Sequence, residues 1–474
     1  MPHKFSRRHL LGGIGATVGT LTLGSVTLRR AMAAGDKPPL VVQIAFNGGW
    51  DTLLTLDPRS HIDFADPDGF IYPAYDLAGS GDPGVLDALA ATNGTGVFTD
   101  GALGMTFGPS MPASLRALAS DICIVRGVDM GTLTHAVGKR YFLTGKFPRG
   151  LSANGSSLGT RVAYEGLAYD TGTPPAIPNL VVGMETYNEG LDASISGVAL
   201  SKFEDIEDLV NALRPETLMA PNAAQAVEDY LDRVTCGELR ADGNKRVTTF
   251  EASRPAAQVL SSGALWESFD LEGNPALVTG LLSHFGISDF STLDAERKDA
   301  YGAAMIACQA LASGTSHAAS IEVMGGLDTH DETWQDEHSL KLRIGFEAVA
   351  GLISFLKNTP DGDGGGVLFD RTTVLVTSDF AREPKVNVRG GRDHHLASAC
   401  LVAGMNIRGG AVIGGTTNDT FQSHRIDPRS GMPSESGMLI RPTDVHATVL
   451  EAMGLSWDHL ANQDPALIPA MLNT

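Results

Sequence analysis

Residues 40–49 read LVVQIAFNGG, an apolar run interrupted only by Gln43 and closed by Asn47 and two glycines. A short run without polar alternation is a strand covered on both faces, as in a parallel sheet between helices. Four further runs share this form: DICIVRGV (121–128), AASIEVMGG (318–326), TTVLVTSDF (372–380) and ASACLVAGM (397–405). Helix-patterned segments lie between them: SMPASLRALAS (110–120), AYGAAMIACQALAS (300–313) and HSLKLRIGFEAVAGLISFLKN (338–358). The alternation predicts an α/β fold, doubly wound, with a mostly parallel sheet between helix layers. In such a fold the functional groups gather at the carboxyl ends of the strands.

The N-terminus, MPHKFSRRHLLGGIGATVGTLTLGSVTLRRAMAAGD, has a basic start, an apolar stretch from about residue 10 to 28 and a small-residue end at Ala31, Met32 and Ala33. This is the layout of an export signal. The Arg7-Arg8 pair resembles the twin-arginine signal, read by the machinery that exports chains already folded. Retention as an anchor is the competing reading, opposed by Arg29, Arg30 and the Gly and Thr content. Cleavage after Ala33 or Ala34 is expected, leaving one domain over residues 36–474 in the periplasm or outside the cell, with no stable membrane insertion. The chain has 35 Lys and Arg against 55 Asp and Glu, a formal charge of −20. Removing the signal takes away Lys4, Arg7, Arg8, Arg29 and Arg30 and no acid, so the mature charge is −25. Acidity of this size repels nucleic acid and anionic membranes, and neither is expected as a partner.

Residues 202–296 are charged, helix-patterned and without a convincing buried strand, which predicts a helical insertion. The Gly/Asp-rich TPDGDGGGVLFD (359–370) reads as a turn; as a calcium loop, Asp361 and Asp363 lack the later bidentate Glu. Cys123, Cys236, Cys308 and Cys400 form no CxxC pair, and Cys123 and Cys400 lie in apolar runs, so buried thiols are expected rather than a disulfide framework.

The chemistry-bearing residues fall at strand ends. Asp51 follows the first strand in FNGGWD, Asp328 and His330 follow the third in GGLDTHD, Asp379 ends the fourth in TSDFAR, and Asp393, His394 and His395 come after it in GGRDHHLA. Each alone reads as a cap or turn residue. Four such clusters at neighbouring strand ends converge on one crevice. Oxygen and imidazole donors suit zinc, manganese or iron, and a carboxylate-dominated set suits calcium or magnesium.

The order of Asp after the first strand, a helix-starting segment ending in Thr-Gly, then Asp/His, Asp and Asp-His, resembles the alkaline-phosphatase-like superfamily, which includes sulfatases. More closely, GGWDTLLTL, THAVGKRYFLTG, GGLDTHDETWQDEH, TSDFAR and GGRDHH resemble the exported family called domain of unknown function 1501, which has no established activity. The resemblance implies Asp51, Asp328, His330, Asp379 and His394 as metal ligands, with His395 the alternate to His394. Sulfatases carry a Cys or Ser ten residues before the Gly that closes their active-site segment; counting back from Gly145 gives His135. Three readings follow. Thr134 is the nucleophile shifted by one, or His135 is a metal ligand, acid or base and water attacks directly, or the two form a helix cap. Lys139 replaces the sulfatase Arg, and Arg382 is a second candidate anion contact.

The sequence also departs from the superfamily. Phe380 stands where phosphatases carry a His, and Asp328 and His330 are closer together than in their Asp-x-x-x-His. A formylglycine sulfatase is excluded, and one metal or none fits better than two. The expectation is an exported hydrolase acting on a phosphate, sulfate or related ester, small-molecule or polymer, with a one-metal or degenerate two-metal site. The alternatives are a noncatalytic exported binding or assembly protein that keeps the scaffold, and a surface-layer role, which the lack of repeats disfavours.

Overall fold

In the computed structural model, residues 37–64, 73–169, 175–201, 280–362 and 365–473 are described, with a few isolated positions between 222 and 271. The N-terminal signal, Cys236 and most of the expected helical insertion lie outside the described residues.

Eight strands form one sheet: β1 (Leu40–Phe46), β2 (Ile122–Asp129), β3 (Asn179–Val182), β4 (Val198–Leu200), β5 (Ala318–Met324), β6 (Thr372–Ser378), β7 (Ala397–Gly404) and β8 (Ala411–Gly414). Their order is β8-β2-β7-β6-β1-β5-β3-β4. All neighbours are parallel except β7, which runs antiparallel to both β2 and β6. The sheet is therefore α/β and mostly parallel, with one reversed strand. Reversal matters for the site: the start of β7 lies on the same rim as the carboxyl ends of β1, β5 and β6.

Strand β1 is buried along its whole length because both faces are covered. Leu40, Val42, Ile44 and Phe46 join a core that includes Val85 of α1 (Pro83–Ala91), Ala304 and Ile306 of α4 (Ala295–Ala312) and Phe346 and Ile353 of α5 (Ser339–Asn358). Val41 faces the other way, into a core with Phe142 of α2 (His135–Thr144), Val162 of α3 (Leu158–Gly166) and Val445 and Val449 of α6 (Pro442–Ala452). Alternation along one strand thus feeds two cores, the geometry of a sheet between helix layers. Among the described residues no helix is long and apolar enough to cross a membrane.

Cys123, Cys308 and Cys400 are buried free thiols. Asp361 is held by Arg371, with oxygens 2.8 and 3.0 Å from the guanidinium, so that carboxylate serves a turn-closing ion pair.

The second core also buries a histidine. The Nε2 of His446 donates to the Phe142 carbonyl at 2.6 Å, and burial pushes the imidazole down to about 4. The unfolded chain, with an ordinary value near 6.5, takes up its proton first as the pH falls. The contribution of His446 is complete above about pH 6.5 and is lost progressively between there and about 4, by roughly 3 kcal/mol at most. His446→Gln, whose amide still reaches the carbonyl, is expected to flatten the acid limb of a urea-midpoint-against-pH curve. A limb of unchanged slope would refute this assignment.

Candidate metal centre

Helix α2 begins at His135, directly after the β2 rim, with Thr134 extended at its N-cap (φ −105°, ψ 117°) and making no side-chain capping bond. Thr134 thus occupies the N-cap position of the capping reading, but its hydroxyl does no capping. Thr134 is exposed, whereas His135 points at acids from two other strand ends.

Asp328 is the focus. Its Oδ1 lies 3.1 Å from His135 Nε2, 2.9 Å from His330 Nε2 and 3.1 Å from His394 Nε2. Arg382, fully buried, donates to the same oxygen at 2.7 Å. Burial alone would raise the Asp328 carboxyl, but Arg382, His394 and His135 hold it well below the usual carboxylate range. Ligand atoms of His135, Asp328 and His394 all lie within 4.8 Å of one another, and His330 Nε2 is 2.9 Å from His394 Nε2.

Each imidazole is anchored through its other nitrogen. His135 Nδ1 is 2.5 Å from Asp379 Oδ2, His330 Nδ1 is 2.5 Å from Asp393 Oδ1, and His394 Nδ1 is 2.8 Å from the Leu133 carbonyl. All three partners are acceptors, so in the neutral tautomer each Nδ1 carries the proton and each Nε2 a lone pair; this tautomer is inferred from the partners. Three nitrogen lone pairs then face the Asp328 oxygen at 2.9 to 3.1 Å. Arg382 answers part of this negative density, from Asp328 Oδ1 at 2.7 Å and His330 Nε2 at 3.5 Å, and a proton or a metal ion between the Nε2 atoms and Asp328 would answer the rest. His135 Nε2 is buried and out of line for a hydrogen bond to Asp328, so it has no hydrogen-bond partner among the described residues. His135, Asp328 and His394 form one group with His330 beside it, and imidazole nitrogen with carboxylate oxygen are donor types that zinc accepts.

Asp379 is an outer partner rather than a member of the donor group. Its buried carboxylate accepts from His135, from the Gly48 amide at 3.1 Å and from the Ser378 hydroxyl at 3.0 Å. Gly48 sits at φ +112°, and a Cβ there would lie 2.5 Å from the Asp328 amide nitrogen, so only glycine lets the β1 loop touch both acids. Gly138 serves similarly: a Cβ on it would come 2.1 Å from the Asp379 carbonyl oxygen, so α2 rests directly on that backbone.

Two other expected ligands lie apart from the cluster. Asp51 is buried, its Oδ2 accepting from Arg392 at 2.9 Å and Trp334 at 3.0 Å and its Oδ1 from the Leu53 and Leu54 amides. These bonds fill the carboxylate's acceptor capacity. His395 is buried just ahead of β7, where its Nδ1 accepts from the Ala397 amide at 3.3 Å. Adjacent residues on an extended strand face opposite ways, so only His394 reaches Asp328. Arg382 is likewise no anion contact. It donates to the carbonyls of Gly48, Gly49 and Arg392 as well as to Asp328, and so positions Asp328. Lys139, one turn beyond His135, is exposed beside the cluster. The outer roles of Asp393 and the Leu133 carbonyl had no sequence signal beyond proximity to His394 and Thr134.

Residues 39–464 match the model of a family described as protein of unknown function, DUF1501. The chain belongs to this family. No curated protein matches it. The DUF1501 match spans every residue of the cluster, from His135 to His394.

Proposed function

We propose that this DUF1501 protein is an exported, metal-assisted hydrolase of phosphate, sulfate or related esters, with an alkaline-phosphatase-like arrangement and one metal held by His135, Asp328, His330 and His394. The observation that carries the reading is the convergence of three imidazole Nε2 atoms on one Asp328 oxygen. A divalent cation in that position supplies Lewis acidity to an ester oxygen and lowers the pKa of water. The protein's part is to orient the three rings through Asp379, Asp393 and the Leu133 carbonyl and to hold Asp328 ionised through Arg382. No hydroxyl or thiol joins the cluster among the described residues, which favours direct attack by water over a covalent intermediate through Thr134. The Arg7-Arg8 segment supports export by the twin-arginine route.

Metal analysis of protein from its native compartment, followed by a screen of aryl and alkyl phosphates and sulfates with zinc, manganese, calcium and magnesium, tests the reading. Metal bound at one per chain with turnover supports it. Metal bound without turnover of any ester would return the noncatalytic binding protein, for which His135 at the nucleophile position is the motive. Asp379→Asn removes the acceptor that orients His135 and is expected to weaken zinc binding about 10–100-fold. Competition against a chromophoric chelator measures this, and an unchanged affinity would remove Asp379 from the site.

A further inference from the structure

A cleft opens at the carboxyl ends of β1, β3 and β6, and Asp379, the acceptor that holds His135, forms part of its wall. Lys139, Asn47 and Gln43 line it, with Met184 and Leu143 as apolar floor. Gln43 is fully buried. Its Nε2 donates to the Phe142 carbonyl at 2.7 Å, but that carbonyl already receives His446, so the fold does not need this amide for it. Gln43 Oε1 is left buried with no hydrogen-bond partner among the described residues, and Gln43 lines the cleft. Next to it, Asn47 donates to Glu322 of β5. Burial pushes the Glu322 carboxyl up to about 7, against Lys139 and Asn47, so near neutrality it both accepts and donates. The Lys139 ammonium forms no ion pair or hydrogen bond among the described residues.

We infer that this cleft holds the alcohol part of the ester, and that the alcohol is polyhydroxylated, of the sugar or polyol class. The inference rests on the proposed ester chemistry of the neighbouring cluster. Hydroxyl groups donate and accept through one atom, and the wall presents that mixture: an unpartnered acceptor on Gln43, the Asn47 amide, and the Lys139 ammonium for the ester oxygens. An aromatic alcohol leaves Gln43 Oε1 unpaired. Sites built to bond a hydroxyl reject analogues that lack it.

Binding of glucose 6-phosphate, phenyl phosphate, ethanolamine phosphate and inorganic phosphate to the zinc-loaded mature chain, by calorimetry, tests this. Glucose 6-phosphate is expected to bind at least about tenfold tighter than phenyl phosphate. Gln43→Leu and Asn47→Ala are each expected to remove most of that margin, and thermal unfolding of the same samples shows that they are folded. Equal binding of the two esters, tightest binding of ethanolamine phosphate, or a margin that survives both substitutions overturns the inference. The two readings fail separately: a sugar preference without cleavage of any ester sinks the hydrolase and leaves the cleft assignment, while cleavage without preference does the reverse.

Discussion

Replacing Asp328 with Asn is expected to weaken zinc binding more than about 100-fold, beyond the loss typical of an outer partner. Among the described residues, the Asp328 Oδ1 is the anionic atom that the Nε2 atoms of His135, His330 and His394 share, at 2.9 to 3.1 Å. An amide of the same shape keeps a carbonyl oxygen for Arg382 but supplies no charge to a cation. Ester turnover, where found, falls with the metal, and added zinc at high concentration restores part of it. Because the Asp328 side chain is half exposed, the metal-free variant is expected to unfold in the same cooperative transition as the metal-free parent. Full zinc occupancy in the Asn variant at submicromolar free metal would sink the proposed centre.

The opposite profile is expected for Arg392→Ala. Arg392 and Asp51 pair at 2.9 Å with their side chains 0% and 1% exposed, and the guanidinium lies 4.5 Å over the Trp334 ring. Truncating the cation leaves a buried carboxylate whose charge only Trp334 and two amides can answer. Breaking a buried pair from one side costs about 3–5 kcal/mol, read here as a fall in the urea midpoint. Zinc stoichiometry of the folded fraction is expected to stay at the parental value. Loss of zinc with unchanged stability would instead return Asp51 to the ligand set.

These two carboxylates looked equivalent in the sequence, each following a strand beside glycines. What separates them is a partner 341 residues away, and no local pattern carries that information. The same holds for His394 and His395, which the sequence could only offer as alternates until strand alternation put one toward Asp328 and the other toward Ala397. For His135, position in the helix pointed to the right place but not to a role, because a helix N-terminus does not reveal which acids face it. The five apolar runs did contain β1, β2, β5, β6 and β7, since a strand covered on both faces needs apolar residues at every position. The strands β3, β4 and β8, of three or four residues, are too short to leave a periodic signal. The direction of β7 was equally silent, because a continuous apolar run reads the same from either end.

That reversed strand has a mechanical consequence. Because β7 enters the sheet at the rim where its neighbours leave it, His394 meets the Leu133 carbonyl across 261 residues of chain. A cation gripped by His135 and His394 would fasten those distant segments as a cross-link does, restricting the unfolded chain far more than a local clasp. A chain that holds its metal would then resist unfolding longer than the same chain without it, because both distant segments must let go together.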